Sequence, residues 1–376
     1  QYEVADVLNK LGDKLEDLGF NGWQLRTLFA LKKCRTSALG GHIDACDECG
    51  NISISYNSCR NRHCPKCQGK NREKWIENRE NELLPVPYFH VVFTIPDTLN
   101  SLVLQQPKML YDILFESAWE TLQTFGKNKN LQMGMIAVLH TWGQNLSLHP
   151  HLHCIVPGGG VDENGAWKNI RNNGKFLFPV KALSKVFRAK FCEKLKANLK
   201  DKFNENQENE YEKIRQSLWE KPWVVYAKKP FGSPKSVVEY LGRYTHKIAI
   251  SNGRIRGIDD KTVTFDYKDY RQKGIKKQMV LSHEEFIRRF AMHILPKRFV
   301  KIRHYGFLSS TWKRQKLKNL QQKLGIQPKE KPLPKPFQPK CSCCKTGNLV
   351  TIAMFDLRGP PQWFLEMSRS QPTPKK

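Results

Sequence analysis

The stretch of sequence that decides the fold is Leu146-Ser147-Leu148-His149-Pro150-His151-Leu152-His153-Cys154-Ile155-Val156. Side chains two residues apart share a face of a β-strand, so His149, His151 and His153 are expected to point the same way. Imidazoles held on one stiff strand are suitable ligands for a divalent metal. The alternative is an edge strand with unrelated histidines, since Pro150 lacks a backbone donor. Three of the chain's 11 histidines fall within five residues, which favours the metal site.

The chain is strongly basic. Its 376 residues include 63 Lys and Arg against 35 Asp and Glu, a net charge of +28. Such an excess predicts a polyanionic partner, most simply nucleic acid, although a generally solvated basic surface is the alternative. The length allows two or three domains. No run of eighteen apolar residues occurs, which predicts that the chain has no membrane span.

The cysteines are grouped in pairs. Cys46-Asp47-Glu48-Cys49 and Cys64-Pro65-Lys66-Cys67 are Cys-x-x-Cys motifs separated by 14 residues, a spacing that predicts a zinc-ribbon site. Clustered pairs favour zinc in a reducing cytosol over disulfides. Four more groups are of the right type for a second, interleaved site, so one or two zinc ions are expected: Cys34, His42, Cys59 and His63.

Two further features belong to the cysteine regions. The basic loop between the predicted ligands offers Arg60 and Arg62 for phosphate contacts. Near the C-terminus, Cys341, Cys343 and Cys344 contain only one Cys-x-x-Cys pair, so any metal there needs ligands from elsewhere. The sequence leaves metal binding by these three cysteines open.

The order of predicted elements indicates an α+β protein. A strand at 88–95, a helix at 99–125, a strand at 135–142 and then the histidine strand predict a split βαβ-like antiparallel sheet with flanking helices. Four segments follow from this pattern. They are an N-terminal helical arm (1–33), a zinc-binding domain (34–84), a core that carries the histidines (85–310), and a basic helix with a Lys/Pro-rich linker and the last cysteines (311–376).

A predicted helix that begins near Pro234 carries two tyrosines. Tyr240 and Tyr244 are four residues apart and therefore share a face of this helix. Arg243 and Lys247 beside them suit phosphate contacts. The same stripe with Val237 would also serve as ordinary core packing, which is the more common role of such stripes. The neighbouring histidines favour the catalytic interpretation.

These groups together predict phosphodiester chemistry. An unaided tyrosine hydroxyl, with a pKa of about 10, is a poor nucleophile. A divalent metal on His151 and His153 would polarise the phosphate that the tyrosine attacks. The products would be a 5′-phosphotyrosine and a free 3′-hydroxyl. No Gly-x-x-x-x-Gly-Lys-[Ser/Thr] loop is present, so no nucleotide cofactor is expected.

Several motifs carry a family resemblance. His151-Leu152-His153 resembles the HUH signature (His, hydrophobic, His) of single-strand nucleases. Three segments resemble the two-tyrosine transposases of the insertion-sequence ninety-one group: Lys229-Pro230-Phe231, Tyr240 to His246, and Ala249-Ile250-Ser251-Asn252. The segment from Asn57 to Gln68 is similar to the zinc domain that precedes their catalytic core.

The resemblance implies a function. It implies an HUH nuclease core over 85–310, with Mg²⁺ or Mn²⁺ on the histidines and zinc in the N-terminal domain. It also implies rolling-circle-like transposition in the bacterial cytoplasm at the nucleoid, on single-stranded, hairpin-forming element ends and a target DNA. HUH enzymes often take the third metal ligand from another element, so His246, Glu239 and Gln144 are alternatives to His149.

Two other functions stay open from the sequence. A plasmid relaxase or a rolling-circle replication initiator would use the same chemistry. A non-catalytic, zinc-dependent DNA-binding regulator would explain the charge and the cysteines, but it leaves the histidine triplet and the tyrosine pair unexplained.

Overall fold

A computed structural model describes residues 2–67, 76, 79, 82–170, 177–199, 205–228, 234–245, 247–326 and 338–370. Three sequence features lie outside these residues: the Lys229-Pro230-Phe231 motif, His246, and most of the Lys/Pro-rich linker. The side chains of Arg243 and Tyr244 are also outside the description, although their backbone is helical. Among the helices of the described residues, none is long and apolar enough to cross a membrane.

The histidine strand lies at the centre of a five-stranded, fully antiparallel sheet. In chain order its strands are β3 (Tyr88–Thr94), β4 (Gly134–Trp142), β5 (Leu148–Pro157), β8 (Val225–Lys228) and β12 (Ile302–Gly306). Their spatial order is β12-β4-β5-β3-β8, so the histidine strand β5 has two neighbours on each side. This central strand is buried along most of its length, and His149 is its one exposed residue.

One face of this sheet is closed by long helices. Helix α5 (Pro107–Lys127) packs on the sheet and against α6 (Val180–Leu199). Helix α4 (Asn100–Gln105) precedes α5 in the chain, and α7 (Glu205–Glu220) follows α6. Leu152, Cys154 and Val156 of β5 point into this core. The alternate residues of β5, among them His153 and Ile155, therefore face the other side.

The opposite face carries the helix of the tyrosine pair. Helix α8 (Pro234–Thr245) contacts β4 and β5. Its Val237 is 1% exposed and packs in a cluster with Ile136, Val138 and Ile155. This anchor places the helix on the face to which the histidines point.

A second core joins the N-terminal helices to a later part of the chain. Helices α1 (Val4–Leu11), α2 (Lys14–Asp17) and α3 (Gly22–Lys32) pack with a three-stranded sheet and helix α9 (His283–Ala291). That sheet contains β9 (Ile255–Ile258), β10 (Thr262–Asp269) and β11 (Ile275–Ser282). The N-terminal helices therefore pack against residues of the predicted core segment 85–310. The predicted segment boundaries stay predictions.

The cysteine region forms a third sheet, and one strand of this sheet comes from the C-terminal part of the chain. Strands β1 (Gly41–Cys46) and β2 (Ile52–Tyr56) form a hairpin, and β13 (Leu349–Phe355) pairs antiparallel with the other edge of β1. The described residues also include a small β-hairpin, three short helices, a π-helical turn and several 3-10 turns. The hairpin, the helices and the π-helical turn are β6 (Gly159–Val161), β7 (Trp167–Asn169), α10 (Ser310–Trp312), α11 (Lys318–Lys323), α12 (Gln362–Ser370) and Lys313–Leu317. The predicted α+β class with antiparallel sheets is confirmed.

Candidate nuclease and zinc sites

Four thiols converge near the N-terminal core: Cys34, Cys59, Cys64 and Cys67. The Sγ atom of Cys34 lies 3.6 Å from that of Cys67 and 3.5 Å from that of Cys64. Tetrahedral zinc with Zn–S bonds of about 2.3 Å requires sulfur atoms about 3.8 Å apart. A hydrogen bond with Cys64 is the main cause that lowers the pKa of Cys59 to about 5. Burial raises the pKa of Cys34 to about 11, and a hydrogen bond with Cys59 raises that of Cys64, so thiol protons are displaced when zinc binds.

The other N-terminal pair belongs to a different cluster. The thiols of Cys46 and Cys49 converge with those of Cys341 and Cys344. The predicted grouping of Cys46 and Cys49 with Cys64 and Cys67 is therefore wrong. The turn of hairpin β1–β2 contains the first Cys-x-x-Cys motif, and β1 pairs with β13. Cys64 and Cys67 instead lie beside Cys34, which follows α3.

Neither predicted histidine of the zinc region joins a metal cluster among the described residues. Nε2 of His42 lies 3.4 Å from Oδ2 of Asp44. Nε2 of His63 accepts a hydrogen bond from the Leu295 amide at 3.3 Å. Burial lowers the pKa of His63 to about 3, which keeps this acceptor neutral. Both histidines therefore have structural partners in place of the predicted metal.

The two predicted DNA-binding arginines of this loop have different surroundings. The guanidinium of Arg62 donates to the backbone carbonyls of Phe299 and Pro296, which ties the loop to the segment before β12. Two of its N–H donors are used inside the protein, which argues against the predicted phosphate contact. Arg60 is exposed and has a left-handed backbone (φ 51°), so its predicted phosphate contact remains open.

Three imidazoles meet on the face of the central sheet that α8 covers. Ring nitrogens of His140, His151 and His153 lie within 4.8 Å of one another. His140 is opposite His151 in the β4–β5 register. His149 is exposed and does not belong to this group. The predicted triplet on one strand is therefore corrected: the neighbouring strand supplies the third imidazole, because directly paired residues lie closer than residues four apart along a strand.

The alternative third ligands are placed as follows. Glu239 is exposed on α8 and is not part of any such group within the described residues. Gln144 lies in the turn between β4 and β5, where its backbone carbonyl accepts a hydrogen bond from Arg254. His246 lies outside the described residues.

Hydrogen bonds orient His151 and His153. Nδ1 of His151 is 2.6 Å from the carbonyl oxygen of His149, so it carries a proton and leaves the lone pair on Nε2. Nδ1 of His153 is 2.8 Å from Nε2 of His90. The Nε2 atoms of His151 and His153 face each other at 3.2 Å. Ligands of one ion with bonds of about 2.1 Å are separated by about 3.0 to 3.4 Å, so this pair fits a shared cation.

Burial keeps these imidazoles neutral. It lowers the pKa of His151 and of His90 to about 4, and it lowers the pKa of His153 further. A neutral imidazole has the free lone pair that a metal requires, and the charge of a divalent ion is not opposed by imidazolium. With Nε2 of His153 used as a ligand, its Nδ1–H donates to Nε2 of His90, an outer hydrogen bond typical of metal-binding histidines.

Tyr240 lies beside His90. Its half-buried ring meets the ring of His90 edge to face, with centroids 5.2 Å apart. The Nζ atom of Lys228, an exposed residue of β8, is 5.6 Å from the centroid of the Tyr240 ring. Lys247, just beyond the helix, is exposed, and its carbonyl accepts a hydrogen bond from Nζ of Lys301 at 2.8 Å. Tyr244 follows Tyr240 by one helical turn, so its backbone lies on the same face of α8.

Three components of these sites were missed from the sequence. His140 and His90 are isolated histidines in apolar strands, and only the register of the strands places them beside His151 and His153. Lys228 is likewise brought in by pairing with β3. Cys341 and Cys344 were not missed but left open, since a Cys-x-x-Cys pair without partners implies two ligands elsewhere.

Comparison with known proteins finds similar transposases and a similar zinc-binding domain. A family model described as "Putative transposase" matches residues 134–316, and one described as "Transposase zinc-binding domain" matches residues 7–95. A protein of Sinorhizobium fredii, "Putative transposase y4qJ", is 41% identical over 96% of this chain and 97% of its own length. The "Transposase for insertion sequence element IS801" of Pseudomonas savastanoi is 30% identical over 79% of this chain and 73% of its own length. No solved structure matches the chain.

Proposed function

Because this chain belongs to the transposases of the insertion-sequence ninety-one group, with an N-terminal zinc-binding domain, we propose that it nicks and rejoins single-stranded DNA through a 5′-phosphotyrosine. The central sheet would act as an HUH nuclease core. The transposase acts on DNA at element ends, and we propose that these ends are single-stranded and hairpin-forming. The relatives named as transposases cover most of the chain, which supports transposition over plasmid relaxation or replication initiation.

The position of Tyr240 is the observation that carries this proposal. The Tyr240 ring contacts His90, and His90 is hydrogen-bonded to His153 within the imidazole group. A tyrosine that served only in core packing would be buried against the sheet. Tyr240 is instead half-buried, beside the exposed Lys228. The nearness of a phenol, a lysine and an imidazole group supports the proposal, because phosphoryl transfer to a side chain uses such a set.

The chemical step transfers one phosphodiester linkage. The Oη atom of Tyr240 or Tyr244 attacks phosphorus, the bond from phosphorus to the 3′-oxygen breaks, and the phenolic proton is lost as the 3′-oxygen gains one. The bond energy stays in the phosphotyrosine, so attack by another 3′-hydroxyl reverses the step and joins a new strand. No nucleotide cofactor is needed. A second tyrosine lets one hold a strand while the other attacks the next.

The residues of this chain would have separate roles. His140, His151 and His153 would hold a divalent ion, Mg²⁺ or Mn²⁺, and His90 would orient His153. When bound, this ion supplies Lewis-acid polarisation of the phosphate oxygens and counters the charge that develops on them. Lys228, Lys247 and Arg243 would hold flanking phosphates, and exposed Arg60 would extend the basic surface along the strand.

A nicking assay on labelled oligonucleotides tests this function. We expect single-stranded element ends to be cleaved to a free 3′-hydroxyl and a protein-linked 5′ fragment in Mg²⁺ or Mn²⁺. His151→Ala should abolish nicking and leave binding largely intact. Cleavage by that variant at the wild-type rate, or cleavage that releases both ends free of protein, would contradict the proposal.

A further inference from the structure

The cysteine pair near the C-terminus completes a metal site with the first Cys-x-x-Cys motif. We propose that a second zinc ion fastens the C-terminal segment to the N-terminal sheet, held by four thiolates: Cys46, Cys49, Cys341 and Cys344. The family's zinc-binding region, residues 7–95, contains only half of these ligands. The proposal does not depend on the nuclease chemistry, because the site lies in a different sheet of the molecule.

The geometry of the thiols supports tetrahedral zinc. The Sγ atoms of Cys46 and Cys344 are 3.7 Å apart, and those of Cys49 and Cys341 are 3.8 Å apart. These separations match the edge of about 3.8 Å of a tetrahedral zinc site. A disulfide would require sulfur atoms about 2.05 Å apart, so neither contact is a covalent bond.

Backbone amides around the cluster are arranged to stabilise thiolates. The amides of Cys49, Cys343 and Gly347 donate to the sulfurs of Cys46, Cys341 and Cys344, at 3.5, 3.4 and 3.3 Å. Such N–H···S bonds orient the ligands and favour their charged form. The two Cys-x-x-Cys turns therefore form matching halves of one site.

The two turns also fit each other closely. The Asp47 carboxylate accepts hydrogen bonds from the backbone and side-chain nitrogens of Asn348, at 2.7 and 3.1 Å. A Cβ atom on Gly347 would lie 2.4 Å from the Sγ atom of Cys46, so only glycine leaves room for this approach. Six register pairs then join β1 to β13. The complementarity extends over both segments, which excludes a chance meeting of four cysteines.

The cysteine inventory is consistent with two zinc sites. Eight of the 11 cysteines form the two clusters. Cys154 and Cys192 are buried in the apolar core beneath the central sheet. The remaining thiol, Cys343, is exposed and lies between two proposed ligands without joining them. It provides a matched control for experiments on its neighbours.

Elemental analysis of the purified full-length chain tests the proposal. The variant Cys341→Ser/Cys344→Ser should hold one zinc ion fewer per chain than the wild type, and Cys343→Ser should hold the same number. Amide exchange in 349–355 should become faster in the double variant, since β13 loses its attachment. Equal zinc content in all three proteins would overturn the site, and loss of zinc with unchanged exchange would overturn the fastening.

Alkylation of the unaltered protein gives a test that requires no variant. Cys49 and Cys343 are both exposed, so burial protects neither thiol. With N-ethylmaleimide we expect Cys343 to react at once and Cys49 to react only after a chelator removes zinc, together with Cys341 and Cys344. Reaction of Cys49 at the rate of Cys343 before chelation would overturn the proposal. Both measurements are made without DNA, so their failure is distinct from failure of the nicking function.

Discussion

In the proposed metal site, His140, His151 and His153 would be ligands and His90 an orienting partner. His140 and His149 both lie next to His151, but only His140 has a ring nitrogen within reach of the other two. We predict that His140→Ala lowers nicking by more than the roughly 100-fold that loss of an outer hydrogen-bond partner causes. His149→Ala is the matched control and should stay near the wild-type rate. Single-turnover nicking at fixed Mn²⁺ measures both, and equal losses would refute the assignment of His140.

His90 is expected to act through His153. Replacing His90 by Phe leaves Nδ1 of His153 without its 2.8 Å partner. We predict that His90→Phe raises the metal concentration for half-maximal nicking about 10- to 100-fold, and that saturating metal restores most of the rate. His90→Gln, whose side-chain oxygen can accept the same proton, should lose less. A drop in maximal rate with unchanged metal dependence would rule out this positioning role.

At the residue scale, the sequence predicted part of the site for a clear physical reason. Alternation along one strand is visible in the sequence, and it correctly placed His151 and His153 on a shared face. The third imidazole was assigned wrongly to His149, because a cross-strand partner depends on register. Register across the β4–β5 turn depends on the turn geometry and on the irregularity between His140 and Trp142, and neither is visible in the alternation along one strand.

At the scale of elements, each Cys-x-x-Cys turn was predicted but their combination was not. Local turn chemistry is visible in the motif, whereas the pairing of turns depends on how β1 and β13 meet. The sequence predicted that Tyr240 and Tyr244 share a face of α8, with core packing beside Val237 as the alternative. In the structure Val237 packs on the sheet and Tyr240 lies beside His90. The side on which the helix packs followed only from the structure.

The first cysteine cluster should stabilise the N-terminal core directly. Cys34 and Cys64 are buried in the same cluster as Leu8 and Phe286, so this site connects α1 and α9 to the cysteine loop. We predict that Cys64→Ser loses one zinc ion and lowers the free energy of unfolding by about 4 kcal/mol or more, the range in which loss of a metal falls. Elemental analysis and chemical denaturation measure the two effects.

The control for this variant is Cys343→Ser, because that thiol is exposed and outside both clusters. It should keep both the zinc content and the unfolding midpoint of the wild type. An unchanged midpoint in Cys64→Ser, despite loss of zinc, would show that the ion does not support the core.

At the scale of the whole molecule, the net charge of +28 should dominate DNA affinity. For single strands, the logarithm of the binding constant falls with the logarithm of salt concentration by about 0.7 per phosphate contacted. We predict that Lys228→Ala and Arg60→Ala each reduce this slope by about 0.7. Fluorescence anisotropy over a salt series measures the slope.

Lys108→Ala is the control for the salt series. Lys108 is ion-paired with Asp112 on α5, a helix that packs on the other face of the sheet. Its removal should leave the slope unchanged. A smaller slope for Lys108→Ala, with no change for Lys228→Ala, would contradict the proposal. It would show that DNA binds on the face of the sheet opposite to Tyr240.

The most direct test of the account is to locate the covalent bond to DNA. The protein is incubated with Mn²⁺ and a single-stranded oligonucleotide spanning the element end, digested, and examined by peptide mass spectrometry. We predict a nucleotide 5′-phosphate on Tyr240 or Tyr244, and no adduct in the variant Tyr240→Phe/Tyr244→Phe. An adduct on another residue, or an undiminished adduct in the double variant, would contradict the claim that these tyrosines and the imidazole group act on one phosphate.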